Sequence, residues 1–368
     1  MSAASEHELL DLVATHDAEQ VVMAADDETG LRAIVAIHST VLGPGLGGTR
    51  FYPFASERDA LIDVLRLARG MTYKHAVCGN DLGGGKAVII GDPRSVRTEP
   101  LMRAYARVVD RIGGRYLTAE DVGTTQADMD LIRTITPFVT GISESLGGSG
   151  DPSPATAWGV FHAMRAVAEH RWGDADLADR HVAIAGVGKV GTALARHLAD
   201  AGCRLTLSDV RDDIVTALAT ELGATVVAPA AVHEVECDIL SPCALGATLN
   251  EHTIARLRCA AVCGCANNQL ATDGDGARLA AAEVLYAPDY VVNAGGVINI
   301  ADELGPDGYD QERAWQRVAT IHETVSRVFA TADRESITPA AAADHLAEER
   351  LRGATPSNSG FDGRPWAP

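Results

Sequence analysis

The first 145 residues mix the patterns of strands and helices. Apolar runs at 21–25 (VVMAA) and 31–38 (LRAIVAIH) predict strands, and GGGKAVII at 83–90 predicts a third. Apolar residues recur at helical spacing from Ser56 to Val77, which predicts a long amphipathic helix before the third strand. This half is therefore predicted to be an α/β domain.

From His181 onwards the pattern becomes a regular alternation. HVAIAGV (181–187) is followed by the helical KVGTALARHLADAG (189–202), by RLTLSDV (204–210) and by a helix that starts near Arg211. Strands separated by single helices form a parallel sheet with right-handed crossovers. The second half is therefore predicted to be a doubly wound, Rossmann-type domain, so that the chain is an α/β protein of two domains with a cleft between them.

The boundary is predicted in LGGSGDPSP, residues 146–154, because a stretch rich in Gly, Ser and Pro suits a hinge. This places the first domain at 1–147 and the second at 148–330. Two further helical patterns follow at about 310–334 and 338–351, and residues 331–354 are expected to pack back onto the first domain. The tail 355–368 is expected to be disordered.

Length and charge narrow the class of protein. A chain of 368 residues with 46% hydrophobic residues is long enough for two cores. The 31 basic and 50 acidic residues give a net charge of −19, which repels nucleic acids and anionic membranes. The N-terminus lacks the order of a signal peptide, and no apolar run approaches the ~18 residues of a membrane span. These features predict a soluble, cytoplasmic protein.

The seven cysteines are predicted to be reduced thiols, because their number is odd and the chain lacks a signal peptide. Cys259, Cys263 and Cys265 form the only cluster that suggests zinc. They lie in RCAAVCGCANN, an apolar run typical of a buried strand, with no CxxC pair or nearby histidine to complete a ligand set. No metal site is predicted.

A dinucleotide site is indicated by GVGKVG, formed by Gly186, Val187, Gly188, Lys189, Val190 and Gly191. The motif lies between a strand and a helix, where glycines let backbone N–H groups and the helix N-terminus approach a pyrophosphate. Asp209 ends the next strand, where it would accept hydrogen bonds from ribose hydroxyls and repel a 2′-phosphate. The sequence predicts NAD as the cofactor, while Arg211 leaves some use of NADP open.

Three segments of the first half place charged residues among glycines: GPGLGGTR (43–50), MTYKHAVCGNDLGGGK (71–86) and YLTAEDVGTT (116–125). With these motifs the chain resembles the glutamate/leucine/phenylalanine/valine dehydrogenase family, most closely its leucine and valine members. The resemblance continues through SPATAWGV (153–160), GVGKVG (186–191), GCANNQL (264–270) and YAPDYVVNAGGVINIADEL (286–304). It implies reversible, NAD-dependent oxidative deamination of an L-amino acid to a 2-oxo acid and ammonia.

The resemblance implies that Lys86 is the general base that activates water. Its position before the apolar AVII suggests a partly dry site, where desolvation and the positive charge of Lys74 would favour the neutral amine. Lys74 resembles the family's lysine for the substrate α-carboxylate, and Asp121 its proton shuttle. Glu120 is the rival acid, but neighbours on a strand point to opposite faces. His75 matches no family position and is assigned no role.

The resemblance also implies that Asn267, Asn293 and Thr156 hold the nicotinamide and its surroundings, although the two asparagines could equally support turns. Gly47, Gly48 and Met71 are implied in substrate binding. Leu46 offers no partner to a distal carboxylate, and Ala119 and Val297 match the leucine and valine members. A branched-chain substrate (valine, leucine or isoleucine) is therefore predicted, with phenylalanine as the alternative.

Two other classes are less consistent with these residues. A hydroxy-acid dehydrogenase would need a histidine base or metal-binding acids, and a non-catalytic NAD-binding module would lack the catalytic lysine or acid. The predicted partners are a small L-amino acid, its 2-oxo acid and ammonium. A homo-oligomer is also predicted, because the N-terminal strands would otherwise leave apolar edges exposed.

Overall fold

The computed structural model describes residues 9–354. Within this range the chain forms two compact units, the first made of residues 9–151, 300–310 and 347–354, and the second of residues 152–299 and 311–346. The predicted disordered tail, 355–368, lies outside the described residues. The two-domain α/β fold is as predicted.

The first unit contains a mixed five-stranded sheet in the order β1-β2-β4-β3-β5. β1 and β2 are antiparallel, as are β2 and β4, whereas β3 runs parallel to both β4 and β5. The strands are β1 (Gln20–Asp26), β2 (Leu31–Ser39), β3 (Gly45–Tyr52), β4 (Gly83–Ile90) and β5 (Tyr116–Glu120).

Helices cover the sheet of the first unit. They are α1 (Leu9–Thr15), α2 (Glu57–Val77), α3 (Pro93–Val96), α4 (Glu99–Arg111) and α5 (Gln126–Arg133), with short 3-10 helices at Glu144–Leu146 and Asp302–Leu304. Helix α2 begins as predicted, because the Ser56 side chain accepts a hydrogen bond from the N–H of Asp59 and caps the first turn. Its apolar face, including Leu61 and Leu65, packs against β2 and β4.

Glycines allow α2 and the strands to approach closely at β4. A Cβ added at Gly84 would lie 2.2 Å from the backbone nitrogen of Thr72 on α2. A Cβ at Gly85 would lie 2.6 Å from the ring of Tyr116 on β5. Any other residue would push these elements apart, so the glycines before Lys86 set the depth at which that lysine is buried.

The second unit contains a six-stranded sheet in the order β11-β10-β9-β6-β7-β8, and all its strand pairs are parallel. This is the predicted Rossmann-type arrangement. The strands are β6 (His181–Ala185), β7 (Arg204–Ser208), β8 (Thr225–Val226), β9 (Cys237–Pro242), β10 (Cys259–Val262) and β11 (Leu285–Tyr286).

The helices that follow in the chain surround this sheet. They are α6 (Ser153–Trp172), α7 (Lys189–Asp200), α8 (Asp212–Leu222), α9 (Glu251–Ile254), α10 (Gly274–Ala281), α11 (Asp289–Val292), α12 (Gly295–Ala301), α13 (Gln311–Ala319), α14 (Ile321–Glu335) and α15 (Pro339–Gly353), with a 3-10 helix at Pro229–Glu234. No helix in the described part of the chain is long and apolar enough to cross a membrane.

The C-terminal helices divide differently from the prediction that 331–354 pack onto the first domain. Residues 331–346 group with the second unit, and residues 300–310 and 347–354 group with the first. Helix α14 remains with α6 because Ile321 fills the space beside Gly159 and Phe329 contacts the ring of His170. The end of α15 joins the first unit because Arg350 donates hydrogen bonds to the carbonyl of His75 and to Asp81.

Candidate active site

In the first unit, a buried lysine and three further charged side chains form one cluster. Lys86 lies on the interior strand β4, is only 7% exposed, and its Nζ is 3.0 Å from Oδ2 of Asp121. Asp121 directly follows β5 and also accepts a hydrogen bond from Nε of Arg50 on β3, at 3.2 Å. Arg50 in turn donates to Asp63 on α2, at 2.8 Å. The two residues predicted to be catalytic are therefore in direct contact.

The cluster controls the charge of Asp121. Burial raises the pKa of this carboxyl, but the charges of Lys86 and Arg50 and the hydrogen bond from Lys86 outweigh burial and lower the pKa below its usual value. Asp121 is therefore a carboxylate near neutral pH. The Lys86 amine, 3.0 Å away, therefore faces a negative charge.

Asp121 and Glu120, its predicted rival, differ in their surroundings. The Asp121 backbone N–H donates to Oγ1 of Thr124, whose hydroxyl also contacts the carbonyl of Thr49. This turn fixes the carboxylate at the end of β5. Glu120 is exposed.

Gly47 and Gly48 lie on β3, beside β5. A Cβ at Gly47 would be 1.8 Å from the carbonyl oxygen of Gly85 and 3.2 Å from Cγ of Met71. A Cβ at Gly48 would be 2.8 Å from Cβ of Asp121. Both positions therefore require glycine, and they place Met71 and Asp121 next to the same stretch of backbone.

Lys74 lies one turn beyond Met71 on α2 and is half-buried. Its neighbour His75 is completely buried, and burial lowers the pKa of its imidazole to about 3. Nδ1 of His75 is 3.1 Å from the side-chain amide of Asn80. A histidine that stays neutral in the interior is a core residue, in agreement with its having been assigned no role.

The two predicted specificity residues of the first unit are buried. Leu46 is fully buried in the apolar core and pairs with Gly84 on β4 and Leu117 on β5. Ala119 is 4% exposed and pairs with Gly48. Leu46 therefore lies on β3, next to the strand that carries Lys86, and Ala119 lies on β5, next to Gly48. Both residues belong to the same sheet as Lys86.

In the second unit, the residues of the 186–191 turn fit a dinucleotide. Gly186 has a φ of +108°, and a Cβ at Gly191 would lie 2.1 Å from the carbonyl oxygen of Gly186, so both must be glycine for strand and helix to meet. Gly188 has open space where a Cβ would lie. Helix α7 starts there without a side-chain cap, which leaves its first N–H groups available to a phosphate. Val187 is buried, while Lys189 is exposed and Val190 is half-buried.

Asp209 follows β7 and binds back to the turn. Its Oδ2 accepts a hydrogen bond from the N–H of Val187 at 2.8 Å, and its Oδ1 accepts from Nε of Arg211 at 3.0 Å. The hydrogen bonds from Arg211 are the main reason that the pKa of Asp209 falls to about 2. The carboxylate is therefore ionised but partly neutralised by Arg211.

Asn293 and Asn267 are brought together at the same edge of the second sheet. The Asn293 side-chain amide donates to Oδ1 of Asn267 at 2.7 Å and to the carbonyl of Cys265 at 3.0 Å. Thr156, on the first turn of α6, donates to the carbonyl of Pro152 and lies next to Gly296, where a Cβ would be 2.8 Å from its hydroxyl. Val297 follows Gly296 in α12 and is half-buried.

Sequence patterns alone missed Arg50, which nothing in the sequence distinguishes from the other arginines. Only three lysines occur in the chain, Lys74, Lys86 and Lys189, so that the other 28 of the 31 basic residues are arginine. All three lysines belong to the motifs described above.

Among residues 9–354, no cluster of three or more His, Cys, Asp or Glu side chains is arranged to hold a metal ion.

Comparison with known proteins accounts for both units. Residues 16–137 match the family model described as Glu/Leu/Phe/Val dehydrogenase, dimerisation domain, and residues 147–217 and 207–358 match that of the Glutamate/Leucine/Phenylalanine/Valine dehydrogenases. The chain is 49% identical to the leucine dehydrogenase of Geobacillus stearothermophilus over 96% of each chain. It is 53% identical to the valine dehydrogenase of Streptomyces coelicolor, covering 92% of this chain and 93% of the relative.

Among solved structures, the chain resembles the crystal structure of L-tryptophan dehydrogenase from Nostoc punctiforme. The two share 40% sequence identity with a TM-score of 0.83, over 94% of this chain and 99% of the other. The similarity therefore extends over both units in sequence and over nearly the whole chain in structure.

Proposed function

The chain belongs to the glutamate/leucine/phenylalanine/valine dehydrogenase family and is an amino-acid dehydrogenase, and we propose that its substrate is a branched-chain L-amino acid that it oxidatively deaminates with NAD. The products are the 2-oxo acid and ammonia, and the reaction is reversible. The single observation that best supports this chemistry is the buried contact between Lys86 and Asp121. The identity of about 50% to leucine and valine dehydrogenases supports the substrate class.

Lys86 and Asp121 are proposed to handle the protons. Because their charged groups are 3.0 Å apart, a proton can pass between them without a bridging water. Asp121 exchanges a proton with the amino group of the substrate. Lys86, as the neutral amine, takes a proton from the water that attacks the imino carbon. Lys74 holds the α-carboxylate as a fixed positive charge.

NAD is the proposed cofactor and, when bound, accepts the hydride from the substrate Cα. Gly186, Gly188 and Gly191 would hold its pyrophosphate with the N-terminus of α7. Asp209 would accept hydrogen bonds from the adenosine ribose, and Thr156, Asn267 and Asn293 would hold the nicotinamide. The ionised Asp209 favours NAD over NADP, although Arg211 reduces the repulsion of a 2′-phosphate.

Leu46, Ala119 and Val297 are proposed to select a branched aliphatic chain. Leu46 is apolar and buried, so a distal carboxylate at this position would lose hydration without gaining a partner, which costs several kcal/mol by itself. Selection among valine, leucine and isoleucine should be weaker, because one methylene is worth only about 1–3 kcal/mol. Aromatic substrates are the second candidate, favoured by the likeness to L-tryptophan dehydrogenase.

The first test compares Lys86→Ala and Lys86→Arg with the parent. Both should lose about 10²- to 10⁴-fold in kcat, because arginine keeps the positive charge but cannot act as a base. Both should bind NADH as the parent does, since Lys86 and the glycine turn belong to different units. Arg32→Ala, which removes an exposed ion pair with Asp27 and a hydrogen bond to the carbonyl of Leu31, is the control and should keep full activity. A Lys86→Arg variant within threefold of the parent would show that only the charge matters.

The second test measures kcat/KM for valine, leucine, isoleucine, phenylalanine, tryptophan and glutamate. The branched-chain substrates should be best and glutamate worst. Val297→Ala should raise kcat/KM for phenylalanine relative to leucine, since it removes two methyl groups. A parent enzyme that prefers an aromatic substrate or glutamate would contradict the proposed substrate class.

We also propose that the chain forms a homo-oligomer. Within residues 9–354, β1 is an edge strand that pairs only with β2, and Met23 on it is 53% exposed. The model that matches residues 16–137 is described as a dimerisation domain. Light scattering should therefore give a multiple of 38.6 kDa, and a mass equal to one chain would contradict the proposal.

A further inference from the structure

Four of the seven cysteines lie on, or just past the ends of, two neighbouring strands of the second sheet. In the parallel pair β9 and β10, Cys237 is opposite Cys259 and Leu240 is opposite Val262, a constant offset of 22 residues. The same offset continues beyond the strands to Cys243 and Cys265. The sheet therefore carries one cross-strand cysteine pair at the start of the two strands and a second just past their ends.

The backbones stay adjacent at the second pair. The N–H of Ala266 donates to the carbonyl of Pro242 at 2.9 Å, and a Cβ at Gly264 would lie 2.3 Å from the same oxygen. Sγ of Cys265 is 3.9 Å from the carbonyl oxygen of Cys243. Neighbouring strands are about 4.8 Å apart, and a disulfide joins Cα atoms that are roughly 4.4–6.8 Å apart.

The thiols of the second pair also interact. The side chains of Cys243 and Cys265 hydrogen-bond to each other, which lowers the pKa of Cys243 and raises that of Cys265. Ser241 lies on the other side, with its hydroxyl 3.3 Å from Sγ of Cys243. Both cysteines are half-buried rather than fully enclosed. Cys243 is thus the nucleophilic thiol and Cys265 the partner that can resolve its oxidised form.

The first pair has the same lateral spacing but a different environment. Burial raises the pKa of Cys237 to about 12 and that of Cys259 to about 11. Neither thiol forms a thiolate near neutral pH. Because the thiolate is the reacting species, this pair should resist oxidation and serves as an internal comparison.

The second pair also touches the proposed dinucleotide site. Cβ of Cys243 lies 3.5 Å from the position of a Cβ at Gly191, and the backbone of Cys243 borders Gly186. The carbonyl of Cys265 accepts the hydrogen bond from Asn293. A covalent link between the two cysteines would therefore pull on the glycine turn and on Asn293 together.

We propose that Cys243 and Cys265 are a peroxide-sensitive dithiol whose oxidation to a disulfide weakens dinucleotide binding. The Cys243 thiolate attacks a peroxide oxygen, so that an S–O bond forms, the O–O bond breaks and hydroxide leaves. The sulfur of Cys265 then attacks Cys243, forming the S–S bond, while the sulfenic oxygen leaves as water. The two thiols lose two electrons and two protons, and hydrogen peroxide is reduced to two waters. The effect on binding rests on the proposed function.

The experiment treats the full-length protein with hydrogen peroxide and maps its peptides by mass spectrometry without reduction. Two of the seven thiols should be lost, in a peptide linked through Cys243 and Cys265, and dithiothreitol should restore them. NADH binding, measured by fluorescence, should be at least about fivefold weaker in the oxidised protein. Cys265→Ser should prevent both changes, while Cys259→Ser should leave both intact.

Each of the other possible results of this experiment contradicts a different part of the proposal. A disulfide between Cys237 and Cys259, or no intramolecular disulfide, would overturn the assignment of the dithiol. A Cys243–Cys265 disulfide that leaves NADH affinity unchanged would overturn its effect on binding. Reduced protein that binds no NADH would instead contradict the proposed cofactor, and peptide mapping would still test the disulfide.

Discussion

Replacing Gly84 by alanine tests whether the close packing of α2 on β4 positions Lys86, the proposed general base. Gly84 precedes Lys86 by two residues, and its added Cβ would lie 2.2 Å from the backbone nitrogen of Thr72 and 2.4 Å from the carbonyl oxygen of Ala68. Both of these atoms belong to the backbone of α2, so no side chain can rotate away. The helix that carries Met71 and Lys74 would have to move.

The size of the effect follows from these distances. Relief of the contact from 2.2 Å to an ordinary 3.4 Å requires a shift of about 1.2 Å. Overpacking of this kind costs about 1–3 kcal/mol in the free energy of unfolding. For a unit of this size, each kcal/mol lowers the Tm by about 2–4 °C. A misplacement of about 1 Å can cost about 10²-fold in rate. At a temperature where the variant is still folded, kcat/KM should therefore fall, although the fraction of folded protein does not.

Gly70→Ala is the matched control, since Gly70 lies on the same helix and has no atom within 4 Å of its added Cβ. It should raise stability by up to about 1 kcal/mol through helix propensity and leave kcat/KM unchanged. Thermal unfolding and kcat/KM for leucine would be measured on both variants at one temperature below both midpoints. A Gly84→Ala variant with parental stability and activity would refute the idea that this contact sets the position of Lys86.

Two further predictions concern the charged residues of the two sites. Arg50→Met should raise the pKa of Asp121, because one of the two cations that stabilise its carboxylate is lost. The acid limb of the pH profile of kcat/KM should therefore move to higher pH, while the affinity for NADH stays unchanged. An acid limb that does not move would contradict the prediction that Arg50 lowers the pKa of Asp121. Since the folded-state pKa of Asp121 is depressed, its contribution to stability is present above its unfolded pKa and is lost as the pH falls through the folded value. Arg211→Ala should leave the charge of Asp209 unopposed and so increase the preference for NAD over NADP. Asp209→Ala should decrease that preference. If the ratio of kcat/KM for NAD to kcat/KM for NADP is the same in the parent and both variants, neither residue selects the cofactor.

The second unit was the easier half to predict because its signals are local. The alternation of apolar strands and helices identifies β6, α7 and β7 within a residue or two, and the spacing of Gly186, Gly188 and Gly191 identifies the turn between them. Asn267 and Asn293 followed from the family motifs. Their mutual hydrogen bond could not be predicted, because it depends on where two loops 26 residues apart end in space.

β3 shows why the first unit was harder. Three of the first five residues of its sequence, GLGGTRFY, are glycine, which has a low strand preference because it has no side chain to pack. The strand forms because glycine alone fits the space beside Gly85, Asp121 and Met71. Local preference is overridden by tertiary contacts, which a hydrophobic pattern does not record.

Arg50 was missed for the same reason. It stands 71 residues before Asp121 and 13 before Asp63, at no helical spacing from either, and only the parallel pairing of β3 with β5 brings it to the carboxylate. In the sequence it is one of 28 arginines, and nothing distinguishes it. A residue that acts by positioning another becomes visible only when the sheet is known.

The use of lysine shows the opposite case, in which composition alone carries information about chemistry. Arginine and lysine serve equally well as exposed cations, but arginine cannot lose its proton near neutral pH and so cannot act as a base. A chain that uses arginine almost everywhere and keeps lysine at positions 74, 86 and 189 therefore restricts amines to the motifs proposed to bind and react. In the role proposed for Lys86 the restriction has a direct physical reason: a buried guanidinium beside Asp121 could form the same ion pair, but it could not lose its own proton and so could not accept one from the attacking water.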